Sequence, residues 1–267
     1  MTTNKFVNLE ALNLRDTADS SSLSNRIAVL HLGQPVKEIG SAPVAGWVKI
    51  DVDINGVTKS GVVKAEINGL LSLRASVSLA REALVAEAIK EWLRFEKGQG
   101  MEFDPPFFNF VGQMWQAIGQ NLDGKDRDVP WSAAAISFMV RHAGTTFPNY
   151  KNFKFAAAHA RYMHDSIVQR KAGNSSAPFW GFRLHEKLPE IGDIVGRWRE
   201  TQRDFADAES RDDFKSHSDI IVSVHPDFVL AIGGNVDQSV NITRYEKTGD
   251  GFLAAKNSVF IHMVNQV

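Results

Sequence analysis

The chain has 267 residues, of which 43% are hydrophobic and 23% are charged, an ordinary composition for one large globular domain or two smaller ones. The formal net charge of −1 gives no electrostatic reason to expect binding to nucleic acid or to an anionic membrane. The sequence contains no cysteine, which excludes disulfides, thiolate metal sites and thiol nucleophiles.

The first residues predict neither export nor membrane insertion. The segment from Met1 to Phe6 lacks the apolar core of a signal peptide. No apolar run elsewhere is long enough to span a bilayer. We therefore expect no general secretory route and no membrane span, and the sequence leaves the localisation open.

Residues 9–74 predict a small all-β domain. The segments 36–40 and 46–52 alternate apolar and polar side chains, as strands with one buried face do. Asn55 and Gly56 form a strong hairpin signal. About five short strands joined by tight turns indicate a small barrel.

The order of these motifs resembles a bacterial SH3-type domain. The motifs that carry the resemblance are Leu12-Asn13-Leu14-Arg15, the serine-rich loop 20–24, Leu32-Gly33, Val36-Lys37-Glu38-Ile39, Gly46-Trp47-Val48-Lys49-Ile50, Asn55-Gly56 and Gly61-Val62-Val63. Such domains commonly attach bacterial cell-wall enzymes to their polymer. The resemblance implies an SH3-like barrel over residues 1–75, and a barrel that only packs against its neighbour is the alternative.

Helical patterns follow. Residues 76–98 carry an amphipathic pattern that Ser78 can cap. Residues 107–119 carry a dense apolar stripe that is typical of a core helix. Residues 153–169 place His159 and Tyr162 three apart on one helix face. A histidine among alanines is most often structural, but either residue would contact substrate if this face lines a pocket.

The segment that begins with Pro130 and Trp131 predicts a short buried helix with Ser132 in its first turn. Apolar residues recur at helical spacing up to Ala143, and a glycine follows. A serine there lies near free backbone N–H groups and the positive end of the helix dipole. On this segment alone, a simple capping role explains Ser132 at least as well.

From residue 189 the periodicity changes to that of strands. The strand-like segments are 191–198, 216–224, 228–235, 239–245 and 259–264. Because helices come first and closely connected strands follow, the sequence predicts an α+β fold with an antiparallel sheet.

Three polar residues in apolar surroundings match the roles of nucleophilic acyl transfer. Ser132 is the candidate nucleophile, His217 the base that accepts its proton, and Asn235 the group that orients the base. Asp219 competes with Asn235 for the orienting role, because residues 217 and 219 point to the same side of a strand. Backbone N–H groups at the helix start would stabilise an oxyanion.

These positions resemble the CHAP and NlpC-type amidase/peptidase superfamily, a papain-like group of cell-wall hydrolases, over residues 80–265. The matching motifs are Trp131-Ser132-Ala133-Ala134-Ala135-Ile136, Gly192-Asp193-Ile194-Val195, His217-Ser218-Asp219-Ile220-Ile221-Val222 and Ile232-Gly233-Gly234-Asn235. The chain is similar in particular to a poorly characterised bacterial subfamily that has serine at the nucleophile position, which Ala158-His159-Ala160-Arg161-Tyr162 also fits.

The resemblance implies that residues 76–267 form a papain-like helix bundle packed on an antiparallel sheet. It implies bacterial peptidoglycan as the partner and an amide bond of that polymer as the substrate, with no cofactor, and the bacterial cell wall as the site of action. Trp131, His159 and Tyr162 would contact the substrate. An inhibitor or immunity protein is a further partner class that it leaves open. No metal site is predicted, since the histidines lack ligand spacing.

The serine itself departs from the superfamily, whose nucleophile is cysteine. A helix N-terminus can convert a thiol into a thiolate but cannot ionise an alcohol in the same way. Ser132 is therefore a natural nucleophile that depends on a general base, an engineered replacement of cysteine, or the mark of a domain that has lost catalysis. The functional alternatives are a peptidoglycan amidase or endopeptidase, an inactive cell-wall or protein-binding module, and a lipid or protein acyl hydrolase.

Overall fold

The computed structural model describes residues 3–126 and 128–267. The chain divides into two compact units, Met1–Val77 and Ser78–Val267.

The first unit is all-β. Its strands are β1 (Thr3–Val7), β2 (Ala11–Arg15), β3 (Arg26–His31), β4 (Pro35–Ser41), β5 (Trp47–Ile54), β6 (Val57–Lys64), β7 (Glu66–Ile67), β8 (Leu70–Leu71) and β9 (Leu73–Ala75). The main sheet has the order β3-β2-β6-β5-β4-β1-β9, and β7 pairs separately with β8. The hairpin predicted at Asn55 and Gly56 is confirmed: Ile54 pairs with Val57, and both turn residues have positive φ.

Alternation along the strands of the first unit builds one apolar core. Leu12 and Leu14 from β2 lie with Ile50 from β5 and Val63 from β6, all fully buried. The remaining buried members of this core are Val7, Leu30, Val36 and Val52. This unit therefore has its own core. Its SH3-type identity stays a prediction.

The second unit contains helices α1 (Leu79–Arg94), α2 (Phe107–Gln116), α3 (Ser132–Ala143), α4 (His159–Lys171) and α5 (Phe205–Ser210). The predicted cap is confirmed, because the Ser78 hydroxyl accepts a hydrogen bond from the backbone N–H of Arg81 at 3.2 Å. The helix predicted to begin at residue 153 starts instead at His159, after a 3-10 turn over Pro148–Asn152. His159 is therefore a helix-terminal residue and not a mid-helix one.

The strands of the second unit are β10 (Phe179–Phe182), β11 (Ile194–Trp198), β12 (Ser216–Val224), β13 (Phe228–Val236), β14 (Ser239–Glu246) and β15 (Val259–Asn265). They form a sheet in the order β10-β15-β11-β12-β13-β14, and all neighbouring strands of this sheet are antiparallel. The sequence did not indicate β10. The last strand, β15, inserts between β10 and β11.

Two adjacent glycines on β13, Gly233 and Gly234, face opposite sides of this sheet, and each leaves room for a close neighbour. A Cβ on Gly234 would overlap Ala135 and lie 2.6 Å from Trp131 Cζ3, so Gly234 faces α3 and allows the close approach of the helix. A Cβ on Gly233 would overlap the Asp219 carboxylate. Because side chains alternate along a strand, Asp219 occupies the face opposite α3.

A buried ion pair ties α1 to the sheet. Arg81 Nη1 lies 2.9 Å from Asp193 Oδ1, and its Nη2 donates to the carbonyl of Asn265. The other Asp193 oxygen lies 2.8 Å from His262 Nε2. Since Asp193 is fully buried, these partners take the place of the water that an exposed carboxylate would bind.

The predicted fold class is confirmed. The second unit is α+β, with helices packed on an antiparallel sheet, and the first unit is all-β. None of the helices in the described part of the chain is both long enough and apolar enough to cross a membrane.

Candidate active site

Ser132 is the first residue of α3, and its side chain does not cap the helix. The cap residue is Trp131, which makes no side-chain capping bond. The Ser132 hydroxyl instead lies 2.6 Å from His159 Nε2. The capping role considered from the sequence is therefore wrong, because the hydroxyl is engaged with a histidine from another helix.

His159 brings a ring nitrogen to Ser132 from the first position of α4. Its other nitrogen, Nδ1, lies 2.9 Å from the Ser218 hydroxyl and within hydrogen-bond distance of the Tyr162 hydroxyl. The two hydroxyls are 2.8 Å apart. Burial lowers the pKa of His159 well below its usual range, and the neighbouring His217, Arg199 and Arg197 act in the same direction. His159 is thus neutral near pH 7.

The expected pairing of Ser132 with His217 is wrong. His217 Nε2 lies 2.8 Å from Asp219 Oδ1, and among the described residues no hydrogen bond joins His217 to Ser132. The His217 and His159 rings are neighbours, with centroids 5.1 Å apart. The physical reason is that α4 inserts His159 at the position where a base from β12 was expected.

Asp219 orients His217, as one of the two sequence alternatives proposed. Tyr245 donates a second hydrogen bond to Asp219, through Oδ2. Burial alone would raise the pKa of Asp219, but the attraction of His217 and the hydrogen bonds from His217 and Tyr245 outweigh burial and lower it. Burial also raises the pKa of Tyr245 well above its usual value. Asp219 is therefore ionised and Tyr245 is neutral.

Asn235 does not orient His217. It lies at an irregularity near the end of β13, between Gly234 and Val236, with a φ of 54°. Its side chain is half-buried, and no hydrogen bond connects it to His217 within residues 3–126 and 128–267. The orienting role expected for Asn235 is accordingly contradicted by the geometry, because the irregularity takes this residue out of the regular register of β13.

Trp131 and Tyr162, the other two residues predicted to contact the substrate, are buried in the protein. Trp131 donates its indole N–H to Glu102 and stacks on Phe95 with ring centroids 5.8 Å apart. Tyr162 is 1% exposed and is bonded to His159 and Ser218. Burial raises its pKa well above the usual value, so the phenol stays protonated. Both side chains therefore support the site from within.

The site is closed to solvent. Ser132 is 3% exposed and His159 is 4% exposed, while Ser218 and His217 are fully buried. A low-polarity environment strengthens each hydrogen bond in the cluster and keeps imidazole neutral. Solvent therefore has little access to the Ser132 hydroxyl in this arrangement.

The start of α3 supplies donors beside the Ser132 hydroxyl. The first N–H groups of a helix have no carbonyl partner one turn earlier, and the first such bond in α3 runs from Ala135 N to Trp131 O at 3.0 Å. The N–H groups of the first turn therefore point toward the region of Ser132. They are suited to an oxyanion that forms there.

The histidines of the site are not grouped as metal ligands within the described residues. In the part of the chain that the structure describes, no group of three or more histidine, cysteine, aspartate or glutamate side chains is arranged to hold an ion. His159 and His217 have separate partners, a hydroxyl pair and a carboxylate. The arrangement fits proton transfer from a serine to an imidazole.

Sequence reasoning missed Ser218 and Tyr245. Ser218 lies between the two predicted site residues His217 and Asp219. Because side chains alternate along β12, Ser218 lies on the opposite face of the sheet, toward α4. That alternation was the available signal. Tyr245 carried none, because its contact with Asp219 joins residues 26 positions apart.

The fold and the serine–histidine pair define an α+β protein with a buried polar site. The model of the DUF2272 family, described as an uncharacterized protein conserved in bacteria, matches residues 108–263, and the chain belongs to this family. The matched region includes Ser132, His159 and His217. No curated protein matches the sequence.

Two solved structures were also found, NlpC2 and NlpC1 from Trichomonas vaginalis. NlpC2 is 9% identical, with a TM-score of 0.23, over 97% of this chain and 72% of its own. NlpC1 is 8% identical, with a TM-score of 0.25, over 95% of this chain and 68% of its own. Scores this low do not establish a common fold.

Proposed function

We propose that the second unit is a papain-like hydrolase that cleaves an amide bond of bacterial peptidoglycan, with Ser132 as the nucleophile and His159 as its general base. The observation that carries the proposal is the 2.6 Å contact between the Ser132 hydroxyl and His159 Nε2 at the start of a buried helix. The substrate class comes from the sequence motifs that resemble cell-wall amidases. The all-β unit would then hold the enzyme on its polymer.

The reaction has two acyl-transfer steps. The Ser132 oxygen attacks the amide carbonyl carbon while its proton passes to His159 Nε2. The first N–H groups of α3 stabilise the resulting oxyanion. His159 then gives the proton to the departing amine, and an acyl ester remains on Ser132. Water attacks the ester carbonyl while His159 takes a proton from that water, and His159 then returns this proton to the Ser132 oxygen as the ester C–O bond breaks, which releases the carboxylic acid and the free serine.

The hydroxyl pair beyond His159 is compatible with the tautomer that the reaction needs. Nε2 can accept the serine proton only when the ring proton is on Nδ1. In that state the Nδ1–H donates to the hydroxyl oxygen of Ser218 or Tyr162, both of which are within reach. A hydroxyl can also donate to Nδ1, so this support is weaker than a carboxylate would give.

The direct test compares Ser132→Ala with Ser137→Ala on purified peptidoglycan, with products identified by mass spectrometry. Ser137 is a matched control because it is buried on the same helix and is hydrogen-bonded to the backbone of Ala156. We expect Ser132→Ala to lower the rate about 10⁴-fold or more, and Ser137→Ala to leave most of the activity. Peptide release by Ser132→Ala at the wild-type rate would rule out this nucleophile.

The closed site favours a second candidate, a module that binds the cell wall or a protein without cleaving it. Ser132 is only 3% exposed, and its hydrogen bond with His159 is also what a structural polar core requires. This candidate predicts sedimentation of the protein with isolated sacculi and no new products from muropeptides or lipids. Detection of a cleaved product that disappears with Ser132→Ala would exclude it.

A further inference from the structure

The indole ring of Trp131 contacts three separate parts of the second unit. Its six-membered ring lies over Gly234 of β13, where a Cβ would come within 2.6 Å of it. It stacks on Phe95, the C-cap residue of α1, with an angle of 22° between the ring planes. Its N–H donates to the carboxyl group of Glu102, in the loop before α2. Two apolar surfaces and one hydrogen bond therefore hold this buried side chain.

The hydrogen bond to Glu102 fixes what the apolar contacts leave open. Apolar packing is not directional, so the contacts with Phe95 and Gly234 allow the ring to turn within its own plane. A hydrogen bond requires its donor and acceptor to be aligned. Because an indole has one polar atom, which only donates, the bond to Glu102 sets the rotation of the Trp131 ring.

Glu102 is itself tied to the sheet and to the neighbouring loop. Its backbone N–H donates to the carbonyl of Gln238 at 2.7 Å, in the turn between β13 and β14. Two residues earlier, the carbonyl of Gly100 accepts a hydrogen bond from the buried Ser239 hydroxyl at 2.7 Å. The Glu102 carbonyl lies so close to Gly124 that a Cβ there would overlap it. The loop thus holds the Glu102 carboxyl group in one place.

The position of Trp131 determines the start of α3. Trp131 directly precedes Ser132, and its carbonyl accepts the hydrogen bond from Ala135 N that closes the first turn. The Ser132 hydroxyl lies 2.6 Å from His159 Nε2. If the helix start moved away from His159 by about 1 Å, this contact would be too long for a hydrogen bond.

We infer that Glu102 is a positioning residue: it acts through the indole of Trp131 and sets the place of the Ser132 hydroxyl relative to His159. The catalytic consequence rests on the proposed function, but the geometric effect does not. The arrangement needs a hydrogen-bond acceptor at this place and not a charge. Glutamine should therefore replace Glu102 successfully, and leucine should not.

The first test detects the contact between Ser132 and His159 without a substrate. The ring-nitrogen resonances of His159 are recorded by NMR in the full chain, with His159→Gln for assignment. Glu102→Leu should shift the Nε2 resonance, because the serine hydroxyl is displaced from it. Glu102→Gln should keep the wild-type resonance, because its side-chain oxygen accepts the indole N–H. An unchanged resonance in folded Glu102→Leu, or equal shifts in both variants, would overturn the inference.

Trp131→Phe carries the test if Glu102→Leu does not fold. It removes the hydrogen-bond donor, keeps an aromatic ring, and should also shift the His159 resonance. Adding Glu102→Leu to Trp131→Phe should cause no further shift, because Glu102 acts through the indole. Trp180→Phe is the matched control, since it removes an indole N–H that donates to the carbonyl of Asn174 at 3.0 Å. Additive shifts, or an equal shift in Trp180→Phe, would refute the inference.

The second test measures hydrolysis. Glu102→Leu should lower kcat about 10²-fold with little change in KM, because the buried carboxyl group does not touch the substrate. Glu102→Gln should retain most of the activity. Val111→Ala, at a fully buried position of α2, controls for general loss of stability. An equal fall in kcat for Val111→Ala, at an equal loss of thermal stability, would reduce Glu102 to a structural residue.

Failure of this inference and failure of the proposed function give different results. If the wild type cleaves nothing but Glu102→Leu selectively shifts the His159 resonance, the positioning role stands and the hydrolase function fails. If the wild type cleaves peptidoglycan and Glu102→Leu neither shifts the resonance nor lowers kcat, the positioning role fails and the hydrolase function stands.

Discussion

Two buried histidines lie side by side near Ser132, and their partners give them different chemistry. His217 is bonded to the Asp219 carboxylate, while His159 is bonded to hydroxyl groups and to Ser132. Because a guanidinium only donates, the contact of Arg199 with His217 is a hydrogen bond only when His217 Nδ1 carries a lone pair. His217 is therefore engaged by Asp219 and Arg199, and His159 is the general base of the proposed mechanism.

Because the two histidines have different partners, replacing His159 and replacing His217 should lower kcat/KM by different amounts. His159→Gln should lower kcat/KM about 10²–10⁴-fold, because the general base is lost. His217→Gln should lower it less, because it alters only the surroundings of His159. Steady-state hydrolysis of one substrate by both variants gives the comparison, with thermal unfolding to confirm that each is folded. A larger loss for His217→Gln would mean that His217 is the base in the reacting state.

The lowered pKa of His159 also makes stability depend on pH. The unfolded chain binds a proton at His159 near pH 6.5, whereas the buried ring resists protonation until the pH is lower. The contribution of His159 to the free energy of unfolding is therefore fully present above pH 6.5, and it is lost as the pH falls toward the folded-state pKa. Over that window the free energy of unfolding should drop by up to about 1.4 kcal/mol per pH unit.

Urea unfolding between about pH 7 and about pH 5 measures this slope. His225 contributes in the same direction, since burial lowers its pKa as well. The informative quantity is the difference between the wild type and His159→Gln, which cannot titrate at that position. Parallel slopes in the two proteins would show that His159 is not held neutral by the fold.

At the scale of elements, the position of α3 depends on the absence of a side chain on β13. A Cβ on Gly234 would overlap the Cβ of Ala135 and crowd the ring of Trp131, the residue directly before Ser132. The Ala135 Cβ is fixed to the helix backbone and the Trp131 side chain is buried, so neither can move aside easily. The close contact of α3 with the sheet thus fixes where the Ser132 hydroxyl lies relative to His159.

Gly234→Ala should destabilise the protein by about 1–3 kcal/mol, as other insertions into packed cores do. Hydrolysis should fall by more than stability alone explains, because the helix start is displaced. Gly249→Ala is the matched control, since a Cβ there meets nothing within 4 Å. Chemical unfolding and kcat/KM are measured on both variants. Normal activity in Gly234→Ala would show that the helix position tolerates the displacement.

At the scale of the whole molecule, the two units have separate cores. Ile50 belongs to the core of the first unit, and the buried pair of Arg81 and Asp193 belongs to the second. We therefore expect two unfolding transitions in calorimetry of the full chain. Ile50→Ala should lower one transition, at a cost of about 2–5 kcal/mol. Asp193→Ala should lower the other, by about 3–5 kcal/mol, because Arg81 is left buried without its partner.

Glu246→Gln serves as the control for Asp193→Ala, because it breaks the exposed contact with Lys256 and should shift neither transition by more than about 1 kcal/mol. A single cooperative transition that both core variants shift equally would show that the units unfold as one.

Local patterns in the sequence predicted elements well and contacts poorly. Ser132 was placed at a helix start because Pro130 and the apolar spacing are local signals. The partner of Ser132 is 27 residues away, and Ser218 is 59 residues from His159. No periodicity encodes such pairings, because they depend on how α4 packs against β12. The order of helical and strand patterns in the sequence also predicted the α+β class. It could not show that β15 inserts between β10 and β11.

For the proposed hydrolase, the burial of Ser132 has a kinetic consequence. A hydroxyl that is 3% exposed would be available to a polymeric substrate only in the fraction of molecules in which the surrounding residues have moved apart. The apparent affinity for substrate would then be weaker than the intrinsic affinity by that fraction, and turnover could not exceed the rate of that opening. Anything that favours the open form, including the polymer itself, would act as an activator without changing a single reacting group.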